Sequence, residues 1–142
     1  MSRNKLAAII VICTIAIIAA IVVPRLIDGT GTAHDAETDF SNAISCYEAK
    51  DHVGERTAVY GTVVSTKYAS ESNGKPTFLD MCYAYPDPNR LTVIIWDDNR
   101  SKFPQPPEDY YNSKTIYVSG LIVLYDGVPE IEVTSPSQIL EK

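Results

Sequence analysis

Catalytic side chains are scarce in this sequence. Its 142 residues include two histidines, His34 and His52, and three cysteines, Cys13, Cys46 and Cys82. Neither histidine has a partner at metal-ligand spacing, which leaves little for a zinc site. No Ser-His-Asp arrangement supplies a nucleophile, and no glycine-rich loop is placed to cradle a phosphate. Basic residues are also few. All 18 acids follow Ile27, whereas Arg3, Lys5 and Arg25 precede it, so residues 28–142 carry 9 basic against 18 acidic side chains, a formal charge of −9. Phosphate binding depends on neutralisation by Lys and Arg, so the field of this part as a whole repels a polyanion. Enzyme activity, a cofactor and a bound metal are all outside the expectation.

What is present is first an apolar run. Leu6–Val23 is 18 residues without a charge, and Thr14 is its only hydroxyl. At ~1.5 Å per residue it reaches ~27 Å, close to the hydrocarbon thickness of a bilayer. Arg3 and Lys5 lie before it and the acidic region after it, so the positive-inside rule places the N-terminus in the cytoplasm and the following domain outside. A cleaved signal peptide is the rival reading, but its apolar core is shorter and ends at a small-x-small site; here Ile18 stands two residues before Ala20. Cys13 lies in mid-span after Ile12, where it packs as a small apolar residue. The chain therefore divides into a membrane anchor over 1–27, a flexible acidic linker over 28–39 and a folded domain over 40–142. His34 is a solvated residue of that linker.

The domain opens with a short helix expected over Phe40–Lys50, from a stripe of Phe40, Ala43, Ile44 and Tyr47. Thr57–Thr66 is a strand that alternates Ala58, Tyr60, Thr62 and Val64 with Val59, Gly61, Val63 and Ser65. A glycine inside a strand marks a bulge, a bend or a close approach, and the expectation is that Gly61 bends or bulges this one. Asn73-Gly74 favours a turn with positive φ. Thr77–Met81 and Leu91–Trp96 are further strands, separated by a loop with two prolines. A helical turn is expected near Ser101–Phe103 and another turn over Glu108–Ser113. Thr115–Tyr125 is a strand interrupted by Gly120, Asp126-Gly127 a hairpin turn, and Pro129–Thr134 the returning strand. Ile139 and Leu140 close the bottom of the core.

Five strands, two internal glycines, a tight final hairpin and no long helix indicate an all-β domain: a five-stranded OB-fold Greek-key barrel, preceded by a single N-terminal transmembrane helix. A β-sandwich is the alternative, but it normally needs about seven strands.

Five segments also resemble a group of small bacterial and archaeal OB-fold domains. They are Glu48–Glu55, the V-x-G-x-V core Val59–Val63, PTFLDM at Pro76–Met81, IIWDDNRSKF at Ile94–Phe103 and Ile116–Val133. The resemblance covers about Ile44 to Ile139. It implies a nucleic-acid-binding-like domain by analogy of fold, without any nuclease active-site motif. Cys46 and Cys82 depart from that pattern, standing where proline and glycine are common.

Candidate functional residues follow from the fold. OB-folds engage ligands on strands two and three and on the loops joining strands one to two and four to five. Those segments bring forward Lys67, Tyr68, Lys75, Tyr83, Tyr85, Arg90, Arg100 and Lys102 as ligand-binding candidates, the aromatics to stack and the cations to contact phosphates or rings. Residues 67–102 hold five basic against five acidic side chains, a neutral stretch in an acidic domain. Phe78 and Trp96 fit the barrel interior better than its surface. Asp97-Asp98 reads as a solvated turn or cap rather than a metal site. His52 makes a structural hydrogen bond. Cys46 and Cys82 lie outside the membrane, where they can form an intrachain disulfide, remain buried thiols or pair between chains.

The reading is a non-enzymatic, membrane-anchored OB-fold binding module with single-stranded nucleic acid as the default that the resemblance implies, weighed against two alternatives. The default is supported by the fold and opposed by the charge. The first alternative is a membrane-tethered protein-interaction module, such as an accessory subunit of an envelope complex. The second is oligosaccharide binding on aromatic platforms.

Overall fold

The computed structural model describes residues Thr38–Lys142, which form one unit. The anchor expected over 1–27 and most of the linker lie outside the described residues. Among the described residues no helix is long and apolar enough to cross a membrane.

Alternation dictates the principal strand. In β2 (Arg56–Tyr68), Val59, Gly61 and Val63 are buried while Tyr60, Thr62 and Val64 are exposed. The other strands are β1 (Ile44–Ser45), β3 (Thr77–Met81), β4 (Leu91–Ile95), β5 (Thr115–Tyr125), β6 (Val128–Glu132) and β7 (Ile139–Glu141). Together they make a seven-stranded sheet in the order β1-β2-β3-β4-β6-β5-β7, with β2 also pairing to β5. Following β2-β3-β4-β6-β5 therefore leads back to β2. The pairing of β4 with β6 is parallel, and β2–β3, β3–β4, β5–β6 and β2–β5 are antiparallel.

This is a mostly β, OB-like arrangement, but not the plain five-stranded barrel the sequence suggested. Two short strands extend it. The helix expected over Phe40–Lys50 is instead β1, parallel to β2, followed by a 3-10 turn at Ala49–His52. Ile139 and Leu140, expected to close the bottom of the core, lie in β7, antiparallel to β5; Ile139 packs against the core, whereas Leu140 is exposed. Short helical turns occupy Asp97–Arg100, where the expectation was Ser101–Phe103, and Pro107–Tyr110, which overlaps the turn expected over Glu108–Ser113.

The interior is aliphatic. Val59, Val63, Leu79, Met81, Leu91, Val93, Ile95, Ile116, Val118, Ile122 and Ile131 are completely buried, each on the inward face of its strand. At ~1.5–3 kcal/mol for fully burying such a side chain, this cluster is the main favourable term in folding. Phe78 and Trp96 do not belong to it. Both are half-buried on the outside, because Phe78 alternates with inward Leu79 and Trp96 falls one residue beyond β4.

The irregularity of β2 lies beyond its glycine. Gly61 pairs in regular register with Ile116, whereas the register against β3 shifts between Val63, opposite Met81, and Ser65, opposite Asp80. One extra residue on one strand reverses the side-chain phase of everything after it. Odd-numbered positions thus point inward up to Val63 and outward from Ser65, which is how Lys67 reaches the surface beside Phe78. Of the bend or bulge expected at Gly61, the bulge is corrected to Val64.

Gly61 serves another purpose. A Cβ there would collide with Cys46 Sγ and stand 3.1 Å from Cys46 Cβ and 3.3 Å from Cys82 Sγ. Cys46 and Cys82 form a disulfide, with their Cα atoms 6.0 Å apart, within the usual range. It fastens the residue just after β1 to the residue just after β3. At Gly120 the close neighbour is Ile131, whose Cγ2 would meet an added Cβ at 2.5 Å; there β5 passes from its pairing with β2 to its pairing with β6.

Candidate ligand groove

The outward face of β2, β3, β4 and β6 is a groove of about 550 Å³, within the size range of ligand clefts. Cross-strand register builds it row by row. Ser65 faces Asp80, Asp80 faces Thr92, and Thr92 faces Glu130; the next row begins Lys67, Phe78. The loop between β3 and β4 contributes Tyr85 and Arg90, and the β5–β6 hairpin contributes Tyr125, Asp126 and Val128. The hairpin turn has positive φ at both Asp126 (47°) and Gly127 (79°), the geometry that an Asp-Gly pair favours.

The floor is a satisfied polar network. Asp80 is buried and accepts hydrogen bonds from Ser65 Oγ at 2.9 Å and Thr92 Oγ1 at 2.9 Å. Arg90 Nε lies 3.3 Å from the same carboxylate and donates to Thr92 Oγ1 at 3.2 Å, while its Nη1 donates to the Asp87 carbonyl at 2.7 Å. A buried charge is tolerated when it is paired and hydrogen-bonded in this way. The Arg90 guanidinium also sits 5.1 Å from the centre of the Tyr85 ring, within cation–π reach.

The walls differ. Tyr85 and Tyr125 are 72% and 70% exposed, large rings without full cover. The Glu130 side chain makes no hydrogen bond or ion pair among the described residues, and burial, followed by repulsion from Glu132, pushes its carboxyl above the usual range against an opposing pull from Arg90. The groove lining holds two basic side chains, Lys67 and Arg90, and three acidic ones, Asp80, Asp126 and Glu130. With Arg90 and Asp80 paired, Lys67 stands against Asp126 and Glu130.

Of the eight candidates named from the sequence, the groove gathers Lys67, Tyr85 and Arg90. The others are placed elsewhere. Arg100 makes a two-pronged ion pair with Glu108 (both contacts 2.6 Å), donates to Thr77 Oγ1 at 2.7 Å and covers the Tyr68 ring at 3.9 Å. Tyr68 in turn donates to Asp97 at 3.0 Å. Lys102 donates to Asn99 Oδ1 and the Thr134 carbonyl. Lys75 lies beside Trp96 in a shallow pocket at the Gly74 turn. Tyr83 meets Tyr47 edge-on, with centroids 5.4 Å apart.

Sequence reasoning missed Tyr125, Asp126, Val128 and Glu130 as groove residues. They arrive through the parallel pairing of β4 with β6, which local periodicity does not encode. The Asp-Gly turn was the available signal. Asp97 and Asp98 lie at the start of the Asp97–Arg100 turn, and His52 Nδ1 pairs with Glu55 at 2.9 Å. Among the described residues no cluster of His, Cys, Asp and Glu is arranged to hold a metal ion.

No protein-family model matches the sequence, and no curated protein matches it either. Two similar solved structures are an aspartyl-tRNA synthetase from Leishmania major Friedlin, with 12% identity over 73% of this chain and a TM-score of 0.45, and the aspartyl tRNA synthetase from Entamoeba histolytica, with 11% identity over 70% of this chain and a TM-score of 0.44. The match covers 21% of each of those chains, so this protein spans about a fifth of their length.

Proposed function

We propose that this chain is a non-enzymatic, OB-like binding module, tethered by Leu6–Val23 with its domain outside the cell membrane, that holds a segment of a protein partner in the β2–β3–β4–β6 groove. The groove itself carries the reading: a cleft of ligand size with a hydrogen-bonded polar floor and two exposed aromatic rings on its rim. A preformed polar floor and uncovered aromatics are the composition of a recognition surface. The acidic balance of the cleft favours a protein over a nucleic acid, whose phosphates would meet Asp126 and Glu130.

Single-stranded nucleic acid is the second reading. Lys67, Arg90, Tyr85 and Tyr125 surround one cleft, and bases stack on such rings. Titration of the full chain in non-ionic micelles with a fluorescent oligothymidine separates the two. No binding at low salt is expected; tight binding that weakens steeply with added salt establishes the second reading instead.

A further inference from the structure

We infer that the groove selects a basic segment, an extended peptide whose Lys or Arg reaches Glu130 while an apolar or aromatic neighbour packs between Tyr85 and Tyr125. This rests on the proposal that the groove is the binding site and adds the chemistry of what enters it.

The charge arrangement points one way. Arg90 already has Asp80, Thr92 and the Asp87 carbonyl as partners, so it has little to offer an incoming anion. Glu130 is different. It is half-buried near Glu132 of the same strand and stands next to Thr92 of the paired strand β4, at the β6 edge of the row that begins with Ser65. A carboxylate that has lost water without gaining a partner is stabilised by any cation that reaches it. Asp126 at the hairpin tip extends the same sign towards the mouth. Lys67, on the opposite wall, repels a second cation and so restricts where along the cleft a basic side chain fits.

The apolar part has its own place. Phe78 and Val128 line the cleft, and Tyr125 projects from the hairpin. An ammonium or guanidinium passing the Tyr85 or Tyr125 ring gains a cation–π contact, whereas a phosphate gains none. A flexible basic segment thus satisfies Glu130, Asp126 and both rings together.

The test uses the full chain in non-ionic micelles and a fluorescein-labelled pool of decapeptides, each with one Lys or Arg flanked by aromatic or aliphatic residues, followed by anisotropy. Oligothymidine is the second probe. The expected result is saturable binding of the peptide pool that weakens about tenfold, equivalent to ~1.4 kcal/mol, in Glu130→Gln. It weakens comparably in Tyr85→Ala and is unchanged in Glu71→Gln, which removes an exposed acid outside the cleft. Equal weakening by Glu71→Gln and Glu130→Gln overturns the inference, because it reports attraction to the acidic surface at large. Oligothymidine binding that depends on Tyr85, with no peptide binding, overturns the basic-segment inference and the protein-partner reading but keeps the groove. Binding of either probe that ignores both Tyr85→Ala and Glu130→Gln overturns the inference and the groove together.

Discussion

The sulfur of Cys46 occupies the space that a side chain on Gly61 would need. Strand, disulfide and glycine are therefore one device: β2 can carry the bridge against its flank only where it has no Cβ. Gly61→Ala should destabilise the oxidised protein by roughly 2–3 kcal/mol, the upper part of the range for inserting a methyl into packed space. With Cys46 and Cys82 both changed to alanine, the same substitution should fall below about 1 kcal/mol, since neighbouring mutations couple. Urea unfolding of the four proteins reads the difference. Equal penalties in both backgrounds would separate the glycine from the bridge.

The bridge closes a loop with a sequence separation of 36, and the chain-entropy relation gives about 4 kcal/mol for its contribution. Cys82 has φ +67°, a conformation that disfavours any side chain. Once the bridge is removed, Cys46→Ser with Cys82→Gly should be more stable than Cys46→Ser with Cys82→Ser by roughly 0.5–1 kcal/mol, the backbone relief offset in part by glycine's freer unfolded chain. Denaturation midpoints check the order, and a more stable serine variant would contradict it.

Arg100 is a structural residue rather than a ligand contact, held by Glu108, Thr77 and Tyr68. Arg100→Ala should lower stability by about 2 kcal/mol, the scale of a charged hydrogen bond left unmade. The ion pair with Arg100 holds the Glu108 carboxyl below its ordinary range. Its stabilisation is present above the unfolded carboxylate value near 4.5 and is lost as pH falls through the lower folded value. The stability gap between wild type and Glu108→Gln should accordingly be open at pH 7 and close in acid. A gap that persists at pH 2 would place the effect in packing.

Glu130 has the opposite sign. Its carboxyl is raised by burial, so the folded state retains a proton more readily than the unfolded one and loses stability as pH rises through that interval. Glu130→Gln should raise the urea midpoint of the free protein slightly at pH 7, an advantage that disappears below about pH 4. A variant less stable than wild type at neutral pH would mean that Glu130 has a favourable partner in the folded chain.

The sequence disclosed the parts of this fold whose signal is local. Thr77–Met81 and Thr115–Tyr125 coincide with β3 and β5, because each is a run rich in apolar residues bounded by turn residues. Asp126-Gly127 turned where an Asp-Gly pair should. What failed was set by distant contact. Ile44–Ser45 is a strand because Val59 and Tyr60 stand beside it, although its own neighbours have helical spacing. The bulge at Val64 leaves no compositional trace, yet it decides that Lys67 faces the groove. Arg100 and Lys102 looked like free cations until folding supplied Glu108, Asn99 and the Thr134 carbonyl. Phe78 and Trp96 fit a filled barrel interior by type, but Phe78 alternates with inward Leu79 and Trp96 falls one residue past β4, so both lie outside.

The role of the β2–β3–β4–β6 face is tested most directly by amide chemical-shift mapping of the full chain in micelles during titration with the basic peptide pool. The largest shifts should fall on Lys67, Phe78, Tyr125, Val128 and Glu130, which meet in one groove from four elements. Shifts concentrated instead on Tyr60, Tyr117 and Leu140, which share a row across β2, β5 and β7, would contradict the groove as the binding site.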